Sequence, residues 1–167
     1  MSTENQRPIG AGFGAKTPAA DVVRGMDLSG KNVIVTGGYS GIGIEEVRAL
    51  AGVGAKVTVP ARRPDAAKEA LGEVSGDIEI ATMDLADIGS VRKFANDYVA
   101  TGRSLDILIN NAGIMACPLD RVGPGWERQF GVNHLGHMAL AVGLLPALQK
   151  AGQSRLVALS STAHIRG

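Results

Sequence analysis

The sequence has one cysteine, no leader-like segment, no long apolar run and almost no net charge. Cys117 stands alone, which excludes an internal disulfide and a cysteine-built metal site. The start, MSTENQRPIG, lacks the apolar core of a secretory signal, and the longest apolar run, MALAVGLLPAL, is too short to cross a bilayer. The 17 basic and 16 acidic residues form no basic block, which argues against nucleic acid or anionic membranes as partners. These absences predict a cytoplasmic protein with no membrane span.

Glycine, in contrast, is abundant, with 23 residues that cluster at the ends of apolar runs, where a backbone turns tightly or approaches another group closely. The composition, 45% hydrophobic and 20% charged, is typical of one soluble globular domain in a chain of 167 residues. We predict an N-terminal arm over residues 1–27 and a single domain over residues 28–167. The arm contains TPAADVVRG, which predicts a short helix with Thr17 as its cap and Pro18 at its first position. The GAGFG of the arm precedes any predicted strand, so we interpret it as a flexible lead-in and not as a phosphate loop.

From Leu28 onward, apolar runs of strand length alternate with helical patterns. Strands are predicted in KNVIVTGG, AKVTVPA, DIEIATMD, SLDILINNAG and RLVALSS. Helices are predicted over 44–53, over RPDAAKEAL, after the cap residue Asp87, and over a long segment at 125–150. Strands separated by helices indicate parallel pairing through right-handed crossovers. The predicted fold class is therefore α/β, a doubly wound parallel sheet (the Rossmann fold), expected to be truncated after its fifth strand.

The first turn, TGGYSGIG, stands between a predicted strand and a predicted helix. Glycines there let the backbone come close to a pyrophosphate, and the helix start behind them offers unpaired N–H groups. A plain tight turn and a site for a methyl-donor cofactor are the competing interpretations. A triphosphate loop is excluded, since no Gly-Lys-Ser/Thr follows. The predicted cofactor-binding residues of this turn are Thr36, Gly37, Ser40, Gly41, Ile42 and Gly43.

The second strand ends in VPARR, without the acidic residue that holds the adenosine ribose hydroxyls in many dinucleotide-binding proteins. Arg62 and Arg63 occupy the region instead. Because an arginine can pair with a 2′-phosphate, NADP is favoured over NAD. Arg62 is nearer the strand end and is the candidate, whereas Arg63 is interpreted as solvated. The alternative is that both arginines are simply solvated.

Further motifs, taken with the first turn, make the stretch from Leu28 to Ser161 resemble the short-chain dehydrogenases/reductases. MDL resembles the family's adenine-pocket motif, and NNAG resembles its signature on the fourth strand. VNHLGH places Asn133 where the family carries an active-site asparagine, and LVALSS places Ser161 where it carries the catalytic serine. DLSGK and the arm are most similar to the retinol-dehydrogenase-like and protochlorophyllide-reductase-like branch. The cofactor-binding residues that the resemblance adds are Asp84, Leu85, Asn110, Ala112 and Gly113.

The resemblance implies an oxidoreductase that transfers hydride between NADP(H) and a small carbonyl or alcohol substrate, with NAD as the less favoured cofactor. It implies Ser161 and Asn133 as catalytic residues and a homo-oligomer in the full-length form. Because the NNAG asparagine is partly structural in the family, Asn110 is interpreted as support for the cofactor side. No metal is expected, since His134 and His137 flank Asn133 without further ligands.

One element of the family's site, Tyr-x-x-x-Lys, does not occur in these residues. In the family its tyrosine follows the serine and supplies the proton, but here Tyr39 and Tyr98 are each followed four residues later by glycine. We therefore expect an incomplete domain without turnover of its own. The alternative is a non-catalytic nucleotide- or partner-binding module, with a methyltransferase as a more distant one. Trp126 and Phe130 are predicted in the core, and Cys117 is interpreted as a passive thiol.

Overall fold

The computed structural model describes residues 10–14 and 16–161 of the chain. In chain order, the strands are β1 (Asn32–Val35), β2 (Lys56–Ala61), β3 (Asp77–Thr82), β4 (Ile107–Asn110), β5 (Arg121–Val122), β6 (Trp126–Glu127) and β7 (Arg155–Ala158). The helices are α1 (Ala19–Val22), α2 (Ile42–Gly52), α3 (Pro64–Leu71), α4 (Ile88–Ala100), α5 (Arg128–Phe130), a π-helical segment (Gly131–Gly136), α6 (His137–Gly143) and α7 (Leu145–Lys150).

Five of these strands form one parallel sheet in the order β3-β2-β1-β4-β7, and β5 and β6 form a separate antiparallel hairpin. The predicted α/β class and doubly wound sheet are confirmed. The chain runs outward from β1 to β3 and then returns to the other side at β4, so the strand order reverses between β1 and β4. In open α/β sheets, ligands bind beyond the carboxyl ends of the strands at such a switch point.

The core consists of two layers, one on each face of the sheet. Successive side chains of a strand point to opposite faces, so Val33 and Val35 pack on one layer and Ile34 on the other. The first layer is completed by side chains of α2 and α3, and the second by side chains of α4, α6 and α7. Helices on both faces explain why the central strands are nearly continuous apolar runs.

The predicted long helix at 125–150 is wrong at its start and is interrupted further on. Gly123 and Gly125 adopt φ values of 55° and 114°, which close the β5–β6 turn, so the helix begins only at Arg128. Glu127 caps this start, because its carboxylate accepts from the amide N–H groups of Gln129 and Phe130 at 2.9 and 2.8 Å. Pro146, in the first turn of α7, fits the break between α6 and α7.

Of the other local predictions, one helix cap is confirmed, and a second cap and a core residue are wrong. Asp87 does cap α4, accepting from the amide of Gly89 at 2.8 Å. Thr17 does not cap α1: its hydroxyl accepts from Gly14 instead, and Pro18 is the cap residue. Phe130 is not in the core, since it is 51% exposed and stacks on the ring of His134.

No helix within residues 10–14 and 16–161 is long and apolar enough to cross a membrane.

Candidate functional site

The glycine turn after β1 is shaped by positions where a side chain would not fit. Gly37 and Gly41 adopt φ values of 67° and 54°, in the left-handed region that favours glycine. A Cβ atom on Gly43 would lie 2.3 Å from the carbonyl oxygen of Gly37, so the turn closes only with glycine there. No side chain caps the amino end of α2, which begins directly after Gly41. The turn therefore presents backbone, with the partial positive charge of a helix start behind it.

Thr36, the residue before this turn, joins β1 to the NNAG turn after β4. Its side chain is fully buried, and its Oγ1 accepts from the backbone N–H groups of Asn111 and Ala112, both at 3.0 Å. The side-chain Nδ2 of Asn111 donates in return to the carbonyl oxygen of Thr36 at 2.9 Å. These bonds hold the glycine turn against the NNAG turn, since a Cβ on Gly37 would lie 3.0 Å from the Cα of Ala112.

Asn133, in the π-helical segment, holds the chain just after NNAG. Its Oδ1 accepts from the backbone N–H of Ile114 at 2.9 Å, and its Nδ2 donates to the Ile114 carbonyl at 2.8 Å. Both ends of the amide are thus engaged by backbone. This arrangement positions the loop that follows NNAG.

His137 lies behind both turns and was not predicted as a site residue. Its Nε2 lies 2.9 Å from Thr36 Oγ1 and its Nδ1 lies 2.9 Å from the carbonyl oxygen of Asn133. Burial lowers the pKa of His137, and the hydrogen bond to Asn133 offsets part of that effect. The sequence offered one signal for it: His137 follows Asn133 by four residues, one helical turn.

A cavity of about 560 Å³ opens at the carboxyl ends of β1, β2, β3 and β4. Ten of the predicted site residues line it, namely Thr36, Gly37, Ser40, Gly41, Ile42, Arg62, Asp84, Leu85, Ala112 and Gly113. Four do not line it, namely Gly43, Asn110, Asn133 and Ser161. The wall also contains residues that the predicted set omitted, among them Pro60, Met83, Asn111, Ile114 and Val132.

The predicted site residues that do not line the cavity differ in burial and in contacts. Gly43 is buried behind the turn, and Ser161 is exposed. Asn110 is buried, and its Oδ1 has no hydrogen-bond partner among the described residues. The backbone carbonyl of Asn110 accepts from Leu159, just after β7, at 3.1 Å. Asn110 thus lies within the sheet, and its supporting role stays a prediction.

Two charged residues of the wall differ in how they are held. The Asp84 carboxylate accepts from the amide of Ala86 at 2.9 Å, so it also shapes the turn before α4. Arg62 is exposed and forms no ion pair with any residue in the described part of the chain. Arg63 is exposed as well but does not line the cavity. Within the described ranges, no three His, Cys, Asp or Glu residues are grouped so that they could hold a metal ion.

Comparison with known proteins identifies the family. A family model described as short chain dehydrogenase matches residues 31–167. The chain is 48% identical over 145 residues to a "Probable oxidoreductase" of Streptomyces lividans and 41% identical over 147 residues to "Retinol dehydrogenase 12" of Mus musculus. These alignments cover 84% and 85% of this chain but 48% and 46% of the relatives. The chain thus spans about half the length of the curated relatives it matches.

Solved structures agree with the sequence comparison. A crystal structure of an uncharacterized protein from Mycobacterium paratuberculosis matches with a TM-score of 0.75 and 40% identity, covering 83% of this chain and 48% of the other. A metagenomic short-chain oxidoreductase in complex with NADP matches with a TM-score of 0.66 and 31% identity, covering 77% of this chain and 61% of the other. The family model and the relatives together confirm the prediction from the motifs: the chain belongs to the short-chain dehydrogenase family, as a retinol-dehydrogenase-like member.

Proposed function

We propose that the chain forms the cofactor-binding part of an NADP(H)-dependent oxidoreductase acting on a small carbonyl or alcohol substrate. The observation that carries the proposal is the convergence of the glycine turn, the NNAG turn and Arg62 on one cavity. Membership of the short-chain dehydrogenase family supports the oxidoreductase class. A structural neighbour solved with NADP supports the type of cofactor.

The cavity fits a dinucleotide on chemical grounds. Gly37, Gly41 and Gly43 keep side chains away from the turn, so a pyrophosphate can approach the backbone and the uncapped start of α2. Asp84 and Leu85, after β3, form the wall assigned to the adenine. When bound, the nicotinamide supplies or accepts the hydride; the protein residues bind and orient it.

Arg62 carries the proposed preference for NADP over NAD. Arg62 lines the cavity just after β2, and its guanidinium has no ion-pair partner among the described residues, so it is available to a 2′-phosphate. A carboxylate in its place would bind ribose hydroxyls and repel that phosphate.

Ser161 and Asn133 are proposed to serve the substrate side. Ser161, three residues beyond the end of β7, would donate a hydrogen bond to the substrate oxygen. Asn133 organises the site through Ile114, because both ends of its amide are already engaged there.

The proposed site still needs a proton donor. Tyr39 lines the cavity but has Gly43 where the family's motif carries its lysine, and Tyr98 is unsuited to that role. Its hydroxyl donates to the Ser104 carbonyl at 3.0 Å, and burial raises its pKa to about 12. A positioned general acid contributes on the order of 10²–10⁴ in rate. We therefore expect the 167-residue chain to bind NADPH without measurable turnover.

NADPH consumption with a panel of aldehydes, ketones and quinones tests this expectation. Addition of a family-type C-terminal half with Tyr-x-x-x-Lys is expected to give turnover, and Ser161→Ala is expected to abolish most of it. Calorimetry on the shorter chain measures NADPH binding separately. Robust turnover by the 167 residues alone would mean that the proton comes from another group.

A non-catalytic nucleotide- or partner-binding module is the second candidate, because a cavity formed by the glycine turn and the NNAG turn would serve nucleotide binding without any catalytic group. Addition of the family-type C-terminal half distinguishes the two proposals. NADPH binding without turnover in the extended protein would support the second candidate and contradict the first.

We also propose that the full-length protein is a homo-oligomer. Met138, Val142 and Leu145 lie at helical spacing on α6 and α7 and are 58%, 59% and 48% exposed. Self-association at micromolar concentration is expected by light scattering and should weaken in Val142→Lys. A monodisperse monomer at those concentrations would contradict the proposal.

We also propose an N-terminal arm at 1–27, a domain at 28–167 and a cytoplasmic location. The single cysteine fits a reducing compartment. Limited proteolysis between the arm and the domain, and cell fractionation, test these points.

A further inference from the structure

His137 is a buried titratable side chain that the proposed function does not use. It is the first residue of α6 and only 6% exposed. Each of its ring nitrogens lies 2.9 Å from one oxygen, Nε2 from Thr36 Oγ1 and Nδ1 from the Asn133 carbonyl. Those two partners hold the glycine turn, the NNAG turn and the loop after it.

The hydrogen-bond partners determine the tautomer of the ring. A backbone carbonyl oxygen can only accept, so Nδ1 must carry the proton and donate to Asn133. In the neutral ring Nε2 is then an acceptor, and the Thr36 hydroxyl donates to it. The alternative acceptor for that hydroxyl, the Ile109 carbonyl, is farther away at 3.4 Å.

This arrangement also occupies the acceptor capacity of the Thr36 hydroxyl. Its two lone pairs accept from the backbone N–H groups of Asn111 and Ala112, both at 3.0 Å, while its proton points to His137. With the proton directed at Nε2, both lone pairs are oriented towards the NNAG turn. An Nε2–H tautomer would instead compete with Asn111 and Ala112 for the same lone pairs.

We propose that His137, as the neutral Nδ1–H tautomer, is the positioning residue that orients the Thr36 hydroxyl and so holds the backbone of the NNAG turn in place. Through its second contact, His137 ties this turn to Asn133, which holds Ile114 from the other side. The consequence for cofactor affinity rests on the proposed function, whereas the tautomer and the rigidity of the turn do not.

Two substitutions separate the two contacts of the ring. The amide of His137→Gln can place an acceptor near the position of Nε2, so it keeps the contact to Thr36. The shorter amide of His137→Asn can place a donor near the position of Nδ1, so it keeps only the contact to Asn133. His134→Asn is the matched control, because His134 is exposed on the neighbouring turn of helix and its ring contact is with Phe130.

Nuclear magnetic resonance on the whole chain gives the first two measurements. Long-range ¹H–¹⁵N spectra are expected to show the Nδ1–H tautomer of His137 in the wild type. Amide hydrogen exchange at Asn111 and Ala112 is expected to be about tenfold faster in His137→Asn, as for one lost buried hydrogen bond, and close to wild type in His137→Gln and His134→Asn. NADPH affinity should follow the same order.

The outcomes are distinguishable. An Nε2–H tautomer in the wild type overturns the inference, and this measurement needs no substitution, so it decides even where a variant fails to fold. Equal exchange rates in the Asn and Gln variants also overturn it, because only the Gln variant keeps an acceptor for the Thr36 hydroxyl. The expected tautomer and exchange pattern in a chain that binds no NADPH would support the inference and contradict the proposed function.

Discussion

Two buried polar side chains join strands β1 and β4, Asp106 at the amino ends of the strands and Thr36 at their carboxyl ends. The two junctions differ in charge and in surroundings. At the amino end, the Asp106 carboxylate accepts from the Lys31 ammonium and from the backbone N–H of Asn32, both at 2.9 Å. At the carboxyl end, the neutral Thr36 hydroxyl accepts from two backbone amides and contacts His137.

The two junctions serve different purposes, conformational stability at the amino end and ligand geometry at the carboxyl end. The Asp106 junction connects strand backbone and a lysine, with no cavity residue among its partners, so its contribution is conformational stability. The Thr36 junction carries no charge, and two of its partners, Asn111 and Ala112, line the cavity. The Thr36 junction itself adds no fixed negative charge beside the glycine turn, which suits a phosphate-bearing ligand.

Gly43→Ala should disrupt the glycine turn at the carboxyl end of β1 and have the largest effect on NADPH affinity. Its Cβ would lie 2.3 Å from the Gly37 carbonyl and 2.8 Å from Asn111 Nδ2, so the turn must open. We expect a loss of NADPH affinity of about 100-fold or more, for a cost of roughly 3 kcal/mol. Calorimetry measures it, with Gly52→Ala as the control, because a Cβ on Gly52 meets nothing within 4 Å. Unchanged affinity in Gly43→Ala would contradict the role of the turn.

Asp106→Ala should remove the junction between β1 and β4 at their amino ends and leave the cavity intact. The backbone N–H of Asn32 would lose its acceptor, so the free energy of unfolding should fall by about 2–3 kcal/mol. Chemical denaturation measures the fall, and NADPH affinity of the folded protein should stay within about twofold. Asp97→Ala removes an exposed ion pair with Lys93 and should cost less than about 1 kcal/mol. A large drop in NADPH affinity would show that the two ends are coupled.

Arg62→Glu should place a negative charge where the 2′-phosphate of NADP is proposed to bind, at the carboxyl end of β2. NADPH affinity is expected to fall by at least about tenfold, through loss of a charge-assisted hydrogen bond, while NADH affinity changes less. Arg63→Glu is the control, since Arg63 does not line the cavity. Equal affinities of the wild type for NADPH and NADH would rule out the proposed role of Arg62.

The smallest expected effect is the pH dependence contributed by His137. Burial holds its pKa in the folded chain below the ordinary value of 6.5, so the unfolded chain binds the proton more readily. Its contribution to stability is complete above pH 6.5 and is lost as the pH falls below that value towards the folded pKa. Between pH 6.5 and 5.5 the loss should reach at most about 1 kcal/mol.

Denaturation of wild type and His137→Gln at several pH values measures this contribution as the difference between the two curves. Asp106 and the other carboxylates are common to both proteins and cancel. Identical pH profiles would mean that His137 has the same pKa in the folded and unfolded chains.

Local sequence patterns predicted two kinds of element correctly. These are the strands, whose side chains pack into an apolar core, and the helix start that is capped by a residue close by in the sequence. The strands are apolar runs because helices cover both faces, and Asp87 caps α4 through an amide two residues away. The start of the long helix was mispredicted, since the helical pattern extends across 125–127 while Gly123 and Gly125 close a hairpin turn. Phe130 has helical spacing with Trp126, yet that part of the chain packs outside the core.

The fold class, the family and most of the cavity wall follow from local sequence patterns, because glycines, Arg62 and Asp84 stand at or just after strand ends and parallel strands bring those ends together. The hydrogen bonds that hold the turns, in contrast, could not be predicted from local patterns. Thr36 and His137 are 101 residues apart, and Asn133 and Ile114 are 19 apart, so no local pattern relates them. Their hydrogen bonds depend on how closely α6 and the π-helical segment pack against the carboxyl ends of β1 and β4, and packing at that distance is a property of the folded chain.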